Sequence, residues 1–311
     1  MRARTRKLAL TEGVTAGILF GTAAIFIRFL QSVDVFSIAF WRLIIACLVL
    51  TLLFLVLGKS FNLGSVRKNI RSLLILSFFL GLHFIFFISA VKDTTILNAT
   101  VLINTTPIFS VFVSSFLFRL KPSYMAILGI AISFGGLCVI AYAETLTSSA
   151  VQLGSLSPNT KGDLEAILGA LAESFYLSYG KRLRSQMDIL PTMLPMYLLT
   201  AIFVIILGIP VAGRALALPP DVATILPLLG LGILPTAIAH TLYFSSLSSF
   251  KSFETATMAL LEPIGATILG IALFQEIPAP LSILGAFLIF IGIFFVVENR
   301  SESSGNQMAT P

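Results

Sequence analysis

Two carboxylates lie where an apolar chain tolerates them least. Glu173 falls near the middle of one long apolar segment, and Glu262 directly precedes Pro263 near the middle of another. An ionised carboxylate at such a depth must be protonated, paired or wet. On a helix Gly169, Glu173 and Tyr176 share one face, as do Met258, Glu262 and Ala266. The chemistry open to such groups is contact with a substrate amine, or uptake and release of a proton. Glu173, with small and aromatic neighbours, is read as functional; for Glu262 a structural hydrogen bond to another helix stays equally open. The histidines His83 and His240 can carry protons or donate to a substrate, or satisfy interhelical hydrogen bonds. Arg42, beside Trp41, offers a carboxylate contact, but snorkelling or pairing with a neighbouring helix is the simpler role. Asn98 and Asn104 serve either a substrate or helix association. These groups have no ligand spacing, so neither a metal site nor a cofactor is expected.

The elements that must position them are membrane helices. Of the 311 residues 57% are hydrophobic and 11% charged, with a mean hydropathy of +1.00. A soluble chain carries roughly 25% charged residues. Apolar stretches long enough to cross a bilayer recur about ten times. They lie near 10–30, 36–57, 70–91, 94–118, 122–143, 162–181, 190–208, 222–246, 252–275 and 279–297. The first is too long for a cleaved leader and lacks a small-residue exit, so it counts as a helix. Cys47 and Cys138 lie inside apolar segments and read as buried small hydrophobes. The sequons at Asn98 and Asn104 fall within a span and are discounted as glycosylation acceptors.

The segments are arranged as a repeat. "HFIFFISAVKDTTILNATVLINTTP", from His83 to Pro107, matches "HTLYFSSLSSFKSFETATMALLEP", from His240 to Pro263. The register then holds through Pro122 with Pro278, Gly129 with Gly285, and Gly136 with Gly292. A weaker match joins Gly13, Ile18 and Phe26 to Gly162, Ile167 and Phe175. Lysine and arginine set the topology. Alternate loops and ends hold 15 basic residues on one side and 4 on the other, with Arg42 inside a helix. The rich side is the cytoplasmic one. Both termini then face the cytoplasm, and the two copies, with about five helices each, are inverted. The expected organisation is a basic segment 1–9, a first repeat 10–144, an external linker 145–161, an inverted second repeat 162–298 and a tail 299–311. The formal charge of +6 belongs to the inner fringe and forms no nucleic-acid groove.

Inversion has a mechanical consequence. Two inverted halves that pack unequally can exchange roles, giving a second state open to the other side, with the substrate near the midplane. Each half also carries a proline that denies a carbonyl its helical partner: Pro107 for Ile103, Pro263 for Ala259. Such breaks belong against protein or a wet cavity. Small-residue stripes, Gly129, Ser133 and Gly136 with Gly285 and Gly292, permit close helix packing or a homodimer face. No zinc-protease, nucleophile-elbow, P-loop or dinucleotide signature is present, so no enzyme is expected.

The stretch "LLEPIGATILGIALFQEIPAPLSILGAFLIFIGIFFV", from Leu260, resembles the EamA type of drug/metabolite transporter, and the resemblance extends over about 10–298. Its E-P pair is Glu262-Pro263, its acidic helix end Glu276, and its glycine-rich last helix carries Gly285 and Gly292. "NTTPIFSVFVSSFLF" echoes it in the first half, and "FWRLIIA" resembles the family's R-x-x-x-A. Arg119 and Lys121 replace a glutamate usual near the end of helix four. The resemblance implies ten helices in a basket around a central cavity, moving small organic solutes, often amino acids, outward. The expectation is an all-α integral membrane transporter in the cell membrane, monomeric or weakly dimeric. Its partners are a small-molecule substrate, lipid and, as coupling ion, protons. A pH-independent facilitator is the alternative, and a membrane enzyme or sensor without flux is the alternative of another class. Phosphate-sugar carriers resemble it less, since no basic cluster lies at cavity depth.

Overall fold

The structure, a computed structural model, describes residues 5–58, 63–147, 159–212, 222–274 and 280–298. The central part of the expected linker, Glu276, and the tail 299–311 lie outside these residues, as do residues 1–4 of the basic segment. The described residues are helical and contain no strand. They form ten rods: α1 (Arg6–Arg28), α2 (Val35–Val56), α3 (Ile70–Asp93), α4 (Ile96–Phe118), α5 (Tyr124–Thr147), α6 (Thr160–Arg184), α7 (Ile189–Ala212), α8 (Val222–Ser246), α9 (252–274) and α10 (Pro280–Glu298). A short helix, Leu63–Lys68, precedes α3. Among the described residues, eight spans are long and apolar enough to cross a membrane. The other two rods are α6, which is charged at both ends and holds Glu173, and α9, which a 3-10 turn at Ala259–Leu261 interrupts.

The surface is inverted relative to a soluble protein. Leu55, Phe116, Val211, Leu226 and Ile283 point outward, while Glu173, Glu262, Arg42, His83 and His240 are buried. Lipid is a suitable solvent for such an exterior. Cys47 is buried as expected, but Cys138 is exposed. Periodicity explains that correction: Cys138 stands on the face of α5 opposite the packed Gly136 and Leu137 pair, so it meets the apolar exterior.

Packing follows the repeat. α5 lies against α10, α2 against α7, and α4 against α9. α3 lies against α6, and α8 correspondingly against α1. This pattern maps onto itself when first and second halves are exchanged. The α5–α10 seam is backbone on backbone: Gly136 faces the carbonyl of Gly285, and Gly129 that of Gly292. Only glycine allows such an approach. The small-residue stripes are thus used within one chain.

Polar caps fix the rod ends. Asp34 accepts from the Ser37 amide at 3.0 Å and starts α2. Thr95 does so for α4, accepting from Asn98 N at 3.0 Å. Lys92 donates to the carbonyls of Leu30, Gln31 and Val33 at 3.2, 2.9 and 2.6 Å, closing the end of α1. Thr94 and Asn98 both donate to Asp163, at 2.9 and 3.2 Å, which ties the α3–α4 corner to the start of α6.

Candidate functional site

Three rods break around one cavity, and each break is repaired locally. In α4 the helix lapses at Asn104 and Thr105, just before Pro107. Pro107 has no N–H for the Ile103 carbonyl, and Thr106 Oγ1 donates to that carbonyl at 2.7 Å instead. In α9 the 3-10 turn lets the Glu262 amide reach the Ala259 carbonyl that Pro263 cannot serve. In α8 residues Gly232–His240 wind as a π-helix around Pro235. There Thr236 Oγ1 donates to the Leu231 carbonyl at 2.6 Å, the acceptor that Pro235 leaves without an α-helical partner.

The breaks surround a small cavity of about 30 Å³. Its polar lining is Arg42, His83, Asn104, Thr106, Glu173, His240 and Glu262. Phe20, Phe87, Ile103 and Ala259 supply apolar wall. Asn104 Nδ2 donates to Glu262 Oε2 at 2.9 Å and to the Thr100 carbonyl at 2.8 Å, using both amide protons. Thr106 Oγ1 also lies 3.0 Å from Glu173 Oε2. A hydroxyl has one proton, and Thr106 has two close acceptors. Both contacts are satisfied together when the carboxyl brings a proton of its own. His83 Nδ1 is 3.2 Å from the Gly169 carbonyl, so it is the protonated nitrogen of the ring, and 3.8 Å from Glu173 Oε2. The rings of His83 and His240 are 5.8 Å apart, although the topology assigns them to opposite halves of the membrane. His240 Nδ1 is buried without a hydrogen-bond partner.

Arg42 is 1% exposed and does not snorkel. Its Nε donates to Thr236 Oγ1 at 2.9 Å, and its guanidinium lies 3.9 Å from the Phe84 ring centroid. Tyr197 on α7 donates to the Thr236 carbonyl at 2.8 Å, so α2, α7 and α8 meet at this threonine.

Six of the sequence candidates therefore meet in one cavity: Glu173, Glu262, Asn104, His83, His240 and Arg42. Four do not line it. Trp41 packs on Phe40. Tyr176 is wholly buried against Phe244. Pro107 begins the second part of α4. Pro263 lines a second crevice between α1, α4, α5 and α9, which Glu262 also reaches. Asn98 joins the Asp163 cluster instead. Sequence reasoning missed Thr106, Thr236, Phe20 and Phe87. For the two threonines a signal existed, a hydroxyl residue next to a mid-span proline; for the aromatics none did.

Among the described residues no group of three His, Cys, Asp or Glu side chains is placed to hold a metal. Comparison with known proteins supplies the frame for this geometry. An "Uncharacterized transporter YxxF" of Bacillus subtilis (strain 168) is 24% identical over 297 residues, covering 96% of this chain and 92% of its own. An "Uncharacterized transporter" of Archaeoglobus fulgidus is 26% identical over 299 residues, covering 95% and 97%. A solved crystal structure, 18% identical, covers 98% of this chain and 100% of its own with a TM-score of 0.75, a likeness of fold. The EamA-like transporter family profile matches residues 8–142 and again 160–298, once on each side of the linker. A helical bundle with an apolar exterior, a polar centre and two tandem matches of this kind is a multi-pass membrane protein, and the chain belongs to the EamA-like transporter family.

Proposed function

We propose that the chain is a secondary transporter that carries a small organic, amine-bearing metabolite, with amino acids the leading class, by alternating access. The observation that carries this reading is the central cavity, whose two carboxylates sit beside the broken parts of matching rods, Glu262 on α9 and Glu173 against α4. Inverted repeats, residues 10–144 and 162–298, supply two packings of similar energy. The exchange symmetry of the helix contacts supports that division. Direction is outward, into the medium, from a cell membrane with both termini cytoplasmic.

Protons are the coupling ion in this reading. The doubly contacted Thr106 hydroxyl supports a carboxyl at Glu173 that binds and loses a proton as partners rearrange. A pH-independent facilitator is the second reading. It is favoured by the observation that Asn104 and Thr106 already hold both carboxylates, as structural bonds would. Purified protein in liposomes separates the two. Proton-gradient-driven flux should fall at least about tenfold, or 1.4 kcal/mol, in Glu173→Gln or Glu262→Gln. If both variants keep full gradient-driven flux, the carboxylate mechanism is wrong.

A further inference from the structure

Arg42 carries the positive charge of the cavity, and its hydrogen bonding is incomplete. Nε is used by Thr236 at 2.9 Å, and Phe84 covers the guanidinium face. Nη1 is buried without a hydrogen-bond partner. Among the described residues no carboxylate lies within 4.0 Å of the Arg42 guanidinium. A guanidinium at membrane depth is costly unless an anion or several acceptors complete it. The Thr236 hydroxyl cannot do more, since it accepts from Nε while donating to the Leu231 carbonyl.

We infer that Arg42 is the binding site for a substrate carboxylate, so that the cavity selects zwitterionic amino acids over solutes lacking an anionic group. This rests on the transport reading above and adds the pole that reading lacks. A guanidinium fork fits a carboxylate in two parallel hydrogen bonds. The opposite pole is a carboxylate. Arg42 lies over Phe84, Phe84 touches His240 (4.9 Å), His240 touches His83 (5.8 Å), and His83 approaches Glu173. Arg42 and Glu173 are the two ends of this series of contacts. Once the walls of this small cavity part to admit it, a zwitterion places its carboxylate on Arg42 and its amine toward Glu173 and Glu262. Phe20, Phe87 and Ile103 then face its side chain, which favours apolar amino acids. Thr236, held by the π-helical segment, orients the fork and is a positioning residue.

The test compares an acid with its amide. Proteoliposomes bearing the full chain are assayed for uptake of the twenty standard L-amino acids. Leucine, methionine and phenylalanine are each paired with the amino-acid amide, which keeps the amine and the shape but lacks the anion. The acid should be preferred at least about tenfold, the size of a charge-assisted pair. In Arg42→Gln the preference should collapse toward one. In Arg42→Lys part of it should survive, because the charge remains without the fork. Thr236→Val should raise the KM of the acid relative to that of the amide. Trp41, the only tryptophan and the neighbour of Arg42, gives a second readout. Its fluorescence should change on adding the acid to wild type, and not in Arg42→Gln. Should Arg42→Gln fail to purify as a single species, the Lys and Val variants decide alone. Equal transport of acid and amide by wild type, or an unchanged preference in the variants, overturns the carboxylate site and leaves the transport reading standing. Absence of flux for every solute in the panel overturns both.

Discussion

Gly135 and Gly136 are neighbours on α5 with opposite surroundings, so one methyl group placed on each tests the packing. A Cβ on Gly136 would stand 2.5 Å from the Gly285 carbonyl oxygen and 2.9 Å from Ile289 N. Both are backbone atoms of α10 and cannot rotate away. Relaxed contacts of this kind lie near 3.5 Å, so α10 must withdraw by about 1 Å. That retreat also opens the approaches at Gly129 and Gly292, where a gap of this size forfeits roughly a quarter to a half of each contact's attraction. The expected cost of Gly136→Ala is about 1–3 kcal/mol, the usual range for overpacking. A Cβ on Gly135 meets nothing within 4 Å. Gly135→Ala therefore keeps only the gain in helix propensity, about 0.4–1 kcal/mol. Thermal unfolding in detergent can be followed by the reactivity of buried Cys47, in a Cys138→Ser background that removes the exposed thiol. Gly136→Ala should lower the transition by several degrees, at roughly 2–4 °C per kcal/mol, and Gly135→Ala should leave it unchanged or raise it. Equal transitions for the two variants would refute the backbone-on-backbone seam.

Other perturbations follow from single contacts. Lys92→Met removes a donor from the Leu30, Gln31 and Val33 carbonyls in the turn after α1 and should cost about 1–2 kcal/mol, seen as a lower thermal transition. Arg119 ends α4 with φ 55°, a left-handed conformation, so Arg119→Gly should stabilise by about 1 kcal/mol in the same assay. Thr106→Val removes the hydroxyl shared by Ile103 and Glu173 and should lower proton-driven flux roughly tenfold, measured as solute uptake under an imposed pH gradient.

Hydropathy and prolines make much of this fold legible. The apolar stretches locate the rods because lipid leaves the backbone no partner but itself. The repeat locates Pro107 and Pro263 and sets Asn104-Thr-Thr-Pro107 against Leu260-Leu-Glu262-Pro263; the structure joins Asn104 of the first to Glu262 of the second by a hydrogen bond of 2.9 Å. The π-helical segment is less legible. Pro235 announces a lost N–H, but the repair needs Thr236, which is in turn held by Arg42 from 194 residues away and by Tyr197. Arg42 itself reads as snorkelling or pairing with a neighbouring helix, because the sequence does not reveal that Thr236 of α8 is the group it meets. Trp41 and Tyr176 carry attractive chemistry, yet Trp41 packs on its own helix neighbour Phe40, and helix rotation turns Tyr176 toward Phe244. Rotation about a helix axis is set by packing, and a uniformly apolar rod such as α2 carries little pattern to specify it.

The central claim is that the cavity moves solute by opening alternately to each side. Counterflow in proteoliposomes tests it most directly, with labelled leucine outside and excess unlabelled leucine, methionine or phenylalanine inside. The account predicts saturable uptake of label that is accelerated by unlabelled solute on the far side and lost in the Glu173→Gln, Glu262→Gln double variant. Binding of the solutes without any accelerated exchange would contradict it.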